Sequence, residues 1–197
     1  MTETSGVLPS DGERLAWRRV DGAGPTVVWL GGFRSDMAGT KAQVLADWAL
    51  AKGRAFLRFD YSAHGESSGD FAEGTIGRWR SDSLAVIDQL TEGPLILVGS
   101  SMGGWMACLA ALARPDRVAG MVLVAPAPDF TEKLMEPALS AQAREAIVQD
   151  VPWSHALLLE MAIASEDVVF TLIRDGDHRL SRPQDLARLL AAVEELA

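Results

Sequence analysis

Cysteine is almost missing from this chain of 197 residues: Cys108 stands alone, so no internal disulfide can form. The opening stretch "MTETSGVLPSDG" also lacks the basic-then-apolar pattern of a secretory signal. Together these make the cytoplasm the expected compartment. Long apolar runs are absent too. Even "VAGMVLVAPA" is cut by glycine and proline, well short of the ~20 residues that span a bilayer, so no membrane span is expected. Basic charge is scarce: 18 Lys and Arg stand against 27 Asp and Glu, a formal charge of −9. Such a balance repels polyphosphate and leaves no basic stripe, which excludes nucleic acid as an expected partner. No cluster of histidine, cysteine and carboxylate has metal-ligand spacing, and no glycine-rich loop ends in lysine. Neither a metal nor a cofactor is expected.

What is present is ordinary globular composition, 48% hydrophobic and 23% charged, enough to bury one core in a single domain over residues 1–197. Short, nearly continuous apolar runs read as strands: "TVVWL" (26–30), "AFLRF" (55–59), "LILVG" (95–99), "VAGMVLVA" (118–125) and "VVFTLI" (168–173). Runs of this kind suit a sheet covered on both faces. Helical patterns fall between them, near 38–52, 75–92, 102–114 and 184–196. The alternation predicts an α/β fold with a largely parallel sheet and helices on both faces. Gly53 and Gly93-Pro94 stop the first two helices, and Ser181 with Gln184 has the spacing of a capping box for the last. Upstream, Asp11-Gly12 predicts the turn of an edge hairpin. Between Ala125 and Val168 no convincing strand occurs.

The stretch "LILVGSSMGGWM" (95–106) places Gly-x-Ser-x-Gly between a buried strand and a helix, the pattern of a nucleophile elbow. Ser101 is its central residue, flanked by Gly99 and Gly103; Ser100 occupies the variable position. A hydroxyl needs a base, and imidazole suits that task near neutral pH. With three histidines in the chain the choice is short. His178, in "RDGDHRLS" beyond the last expected strand, stands on the edge where the strands' carboxyl ends gather. His64 sits in the turn "SAHGESSG", where a structural hydrogen bond is expected, and His155 begins a helix. The oxyanion of a tetrahedral intermediate needs amide donors: Met102 N–H, next to the serine, and Phe33 N–H after Gly31-Gly32. Trp105, Trp153, Met102 and Met106 could line an acyl pocket, but such residues more often fill cores.

These parts together resemble the α/β-hydrolase family. The motifs "GGFRSDMAGTKA", "RFDYSAHGESSG", "GRWRSD", "LVGSSMGGW", "VPW" and "GDHRLS" resemble its branch of palmitoyl-protein thioesterases and acyl-glucuronide esterases, with their bacterial relatives. The resemblance implies hydrolysis of carboxylic esters or thioesters without a cofactor. The chain departs from that pattern at the acid. Three residues before the Val-Pro pair, where the family carries it, stands Val148, and the region between about 129 and 150 is shortened, with little left of a cap. Asp150, beside Val151-Pro152, is the expected acid; Asp129 is the alternative; Asp177, adjacent to His178, reads as a turn residue. A dyad without an acid is the remaining option.

The expected function is therefore a serine esterase, a carboxylesterase or thioesterase acting on a small acyl substrate of short chain through Ser101, His178 and Asp150, with Phe33 and Met102 as oxyanion donors. The competing expectation is a shortened member that binds a small ligand or a protein partner without turnover. If one core strand is missing, 168–173 pairs directly with 118–125; otherwise residues near 145–149 fill the gap, or a second chain does so in a swapped homodimer.

Overall fold

The computed structural model describes residues 2–127 and 175–197, with Val169, Thr171 and Ile173 between them. The chain opens with a hairpin of β1 (Glu3–Ser10) and β2 (Glu13–Val20), in register from Glu3 opposite Val20 to Ser10 opposite Glu13. Its two-residue turn needs left-handed backbone at both positions, and Asp11 (φ 45°) and Gly12 (φ 84°) supply it.

Four further strands, β3 (Ala23–Leu30), β4 (Arg54–Phe59), β5 (Leu95–Ser100) and β6 (Val118–Val124), complete a six-stranded sheet in the order β1-β2-β4-β3-β5-β6. β4, β3, β5 and β6 run parallel, while the hairpin joins antiparallel through β2 and β4. The crossovers are helical: α1 (Thr40–Lys52), α2 (Ile76–Leu90) and α3 (Met102–Ala113), with α4 (Pro183–Leu196) closing the chain. β3 begins three residues before the expected run; the boundaries of β4–β6 and of the four helices lie within two residues of those the sequence predicts.

The apolar runs are continuous because both faces of the sheet are covered. Val28, Leu30, Leu57, Leu95 and Leu97 point toward α2 and α3, into a core that holds Trp79, Val86, Ile87, Trp105 and Met106. Val27, Trp29, Phe56, Ile96 and Val98 point the other way, toward Leu45 of α1 and Leu189 and Val193 of α4. Trp105, Met102 and Met106 are thus core residues, and Cys108 is buried with its thiol pushed up to about 11 by desolvation.

One boundary differs. The cap of α4 is formed by Arg182 and Asp185, not by Ser181 and Gln184: the Arg182 N–H donates to Asp185 Oδ2 at 3.2 Å. Pro183 explains the shift, since a proline at the first helical position holds the residue before it extended and makes Arg182 the cap. Of the expected strand 168–173, only Val169, Thr171 and Ile173 are described, and they are not in strand; Val169 is 76% exposed. Asp129, Val148, Asp150, Trp153 and His155 lie outside the described residues, as do residues 145–149.

Candidate active site

β5 ends in the elbow. Ser101 has φ 56° and ψ −120°, a conformation that L-residues hold only where their surroundings impose it. Three backbone bonds impose it here. Ser101 N–H donates to Val124 O at 3.0 Å, and Ser101 O accepts from the N–H groups of Gly104 (2.9 Å) and Ala127 (3.1 Å). Gly103 is required by contact: a Cβ there would stand 1.9 Å from the Leu30 carbonyl oxygen, so only glycine lets α3 start this close to β3.

The half-buried Ser101 hydroxyl meets the base candidate directly, with His178 Nε2 3.0 Å from Ser101 Oγ. The bond spans 77 positions and closes the molecule across the carboxyl edge of the sheet. An imidazole so placed can take the hydroxyl proton as the oxygen attacks, and later return it to a leaving group. Asp177 Oδ1 accepts the Leu180 N–H at 2.8 Å, the turn role expected of it. Among the described residues no carboxylate is hydrogen-bonded to His178.

On the other side of Ser101 lies the loop after β3. A Cβ on Gly32 would stand 3.2 Å from Ser100 O and 3.5 Å from Ser101 Cβ, so the loop presses on the elbow with the least possible bulk. Ser35 N–H donates to Gly32 O at 3.1 Å, turning the chain through Phe33 and Arg34, with Arg34 at φ 55°. The Phe33 ring sets its edge against Phe71 and Trp79, at centroid distances of 5.2 and 5.9 Å. Met102 N–H, first in α3, has no acceptor among the described residues, as the first amides of a helix do not.

Two groups hold this loop, and the sequence did not reveal the partner of either. Buried His64 bonds Ser62 O through Nδ1 at 3.1 Å and accepts the Arg34 N–H at Nε2, 3.3 Å away; the pair of bonds requires the neutral ring with its proton on Nδ1. Desolvation holds its pKa below the ordinary histidine value. The expected hydrogen-bonding role of His64 is thus present, and its partner is the candidate oxyanion loop. Buried Asp60 accepts the amides of Met37 (2.7 Å) and Glu66 (2.8 Å), tying the same loop to the turn after β4. Burial raises its pKa, opposed by those two amide bonds.

The His178 loop has braces of its own. Lys41, in the first turn of α1, donates to the Arg179 carbonyl and to Ser181 Oγ at 3.1 Å; desolvation, then the Arg179 charge, lowers its pKa. Arg182 bridges Asp175 and Asp185 at 2.9 and 2.7 Å, and holds both carboxyls below the usual range. Among the described residues no group of three or more His, Cys, Asp or Glu could hold a metal ion.

A largely parallel sheet with a strained serine elbow at its carboxyl edge and an imidazole against the hydroxyl define an α/β-hydrolase. The chain belongs to the hydrolase family described as serine aminopeptidase, S33, whose model matches residues 25–187. The mitochondrial palmitoyl-protein thioesterase ABHD10 of Bos taurus is 32% identical, over 99% of this chain and 80% of its own length. That alignment runs over 245 positions, more than the 197 residues here, so this chain is the shorter. The crystal structure of a hydrolase from Agrobacterium vitis S4 superposes with a TM-score of 0.83 at 36% identity, covering 100% of this chain and 99% of that one. Mouse alpha/beta hydrolase domain-containing protein 10 superposes with a TM-score of 0.80 at 29% identity, covering 98% of each. ABHD10 is mitochondrial by name, whereas the lone cysteine pointed to the cytoplasm. Among the described residues no helix is long and apolar enough to cross a membrane.

Proposed function

We propose that this protein is a serine carboxylesterase or thioesterase working through an acyl-enzyme on Ser101. His178 accepts the hydroxyl proton while Ser101 Oγ attacks the acyl carbon. The amides of Phe33 and Met102 receive the oxyanion, at the place where negative charge develops and the amino end of α3 favours it. Collapse of the tetrahedral intermediate expels the alcohol or thiol, which takes the proton from His178. Water, deprotonated by the same imidazole, then releases the acid. Asp150 is the proposed orienting acid, with Asp129 as the alternative.

The observation that carries this reading is the 3.0 Å contact between His178 Nε2 and a serine held in a strained elbow. Strain of that kind persists where a site uses it. The thioesterase name of the relatives supports the thioester half of the proposal. The shortened chain supports short acyl groups over long ones. A second reading, a fold that binds without turnover, draws on the lack of a carboxylate against His178 among the described residues. Hydrolysis of a nitrophenyl ester by the wild type and by Ser101→Ala separates the two. A loss of about a thousandfold or more in kcat is expected of the variant; equal rates would favour binding alone.

A further inference from the structure

We propose that Arg34 makes this site selective for substrates that carry an anionic group, a carboxylate or phosphate, besides the ester or thioester. The inference deepens the serine hydrolase reading and rests on it.

Arg34 is placed by the candidate oxyanion loop itself. Gly32 touches the elbow and Phe33 follows it, so the Arg34 backbone stands within about 7 Å of the residue that contacts Ser101. Its main chain is held at both ends of the turn, by φ 55° within the Gly32–Ser35 bond and by the N–H donated to His64. Its side chain is exposed yet ordered by stacking: the guanidinium carbon lies 4.9 Å from the Phe71 ring centroid and 5.7 Å from that of Phe33. A guanidinium recognises carboxylate and phosphate bidentately through its N–H edge, and the Arg34 side chain is exposed.

That edge has no ion-pair partner among the described residues, although the chain carries 27 acidic residues against 18 basic ones. The carboxylates nearest in sequence or on the facing turn are engaged elsewhere. Asp36 Oδ1 accepts the Ala38 N–H at 2.9 Å, Asp60 holds the Met37 and Glu66 amides, and Glu66 pairs with Arg18 at 2.5 Å. A preordered cation on the candidate oxyanion loop, without an ion-pair partner among the described residues and on a molecule of net charge −9, offsets at one point the repulsion an anionic substrate would otherwise meet.

The test compares selectivity within each protein, so that a general loss of activity cancels. Phenyl butyrate is the neutral reference. Against it stand 4-carboxyphenyl butyrate and 4-phosphonooxyphenyl butyrate, with the anion on the leaving group, and monophenyl succinate, with the carboxylate on the acyl half. The ratio of kcat/KM, anionic over neutral, is expected to fall about tenfold in Arg34→Met for at least one of the three, and less in Arg34→Lys, which keeps the charge without the fork. The arm that responds names the anion and the half of the substrate that bears it. Unchanged ratios in all three arms overturn the inference while leaving the hydrolase intact. If phenyl butyrate is not hydrolysed in a Ser101-dependent way, the hydrolase reading itself fails, and the inference falls with it.

Discussion

His64 and His178 are both imidazoles near one serine, and their surroundings separate their tasks. His178 is exposed and bonded to the Ser101 hydroxyl. His64 is buried, and its Nε2 lone pair is committed to the Arg34 N–H. Protonating His64 would put a second N–H where an acceptor is needed. Because its folded pKa lies below the ordinary 6.5, the unfolded chain takes up the proton first. The stability His64 contributes is therefore full above about pH 6.5 and is lost as pH falls from there toward the folded value. Urea unfolding at pH 7.5 and 5.5 should show a larger acid-induced loss in the wild type than in His64→Gln, whose amide cannot titrate; equal losses would mean that His64 is not held neutral. The raised carboxyls of Asp60 and Asp82 act in the opposite sense and are common to both proteins. Ser101 and His178 could be picked from sequence because the elbow pattern is local and histidines are few. The Lys41 brace could not, because its partner Arg179 lies 138 positions away and any exposed lysine has the same local sequence character.

At the scale of elements, the loops at the carboxyl edge divide the labour and the strands hold them in place. β3 delivers the loop of Gly32 and Phe33, β5 the elbow, and the segment before α4 the candidate base His178. The central strands β3–β6 and the four helices were legible, because burial on both faces makes the strands' apolar runs continuous and glycines mark element ends, whereas the run 168–173 is not in strand at its described residues. The cap of α4 was misplaced by one residue, since a Ser-x-x-Gln pattern and an Arg-Pro-x-Asp pattern overlap there and Pro183 decides between them. The acid was the least legible part. Loops tolerate deletion, so in a shortened chain the family's spacing no longer identifies its position. We expect Asp150→Asn to lower kcat by several powers of ten and Asp129→Asn to leave it within a fewfold, by analogy with triads whose orienting acid is removed. The reverse pattern would assign the acid to Asp129, and two unchanged rates would describe a Ser101–His178 dyad.

On the scale of the whole molecule, folding joins parts that sequence leaves far apart. The sheet places residue 101 beside residue 178, and the turn after β4 carries Asp60 and His64 to the loop after β3. The scarcity of long apolar runs and of basic charge set aside a membrane span and nucleic acid as expectations, and the elbow pattern turned the reading toward a serine hydrolase. That the hydroxyl of Ser101 is the activated nucleophile is the central claim, and covalent capture tests it most directly. The 197-residue protein, treated with a fluorophosphonate and digested for peptide mapping, should carry one label, on Ser101 in the peptide containing "GSSMGG". His178→Ala should react far more slowly, because the base no longer removes the proton. A label on Ser100 or another residue, or none on a folded protein, would contradict the account.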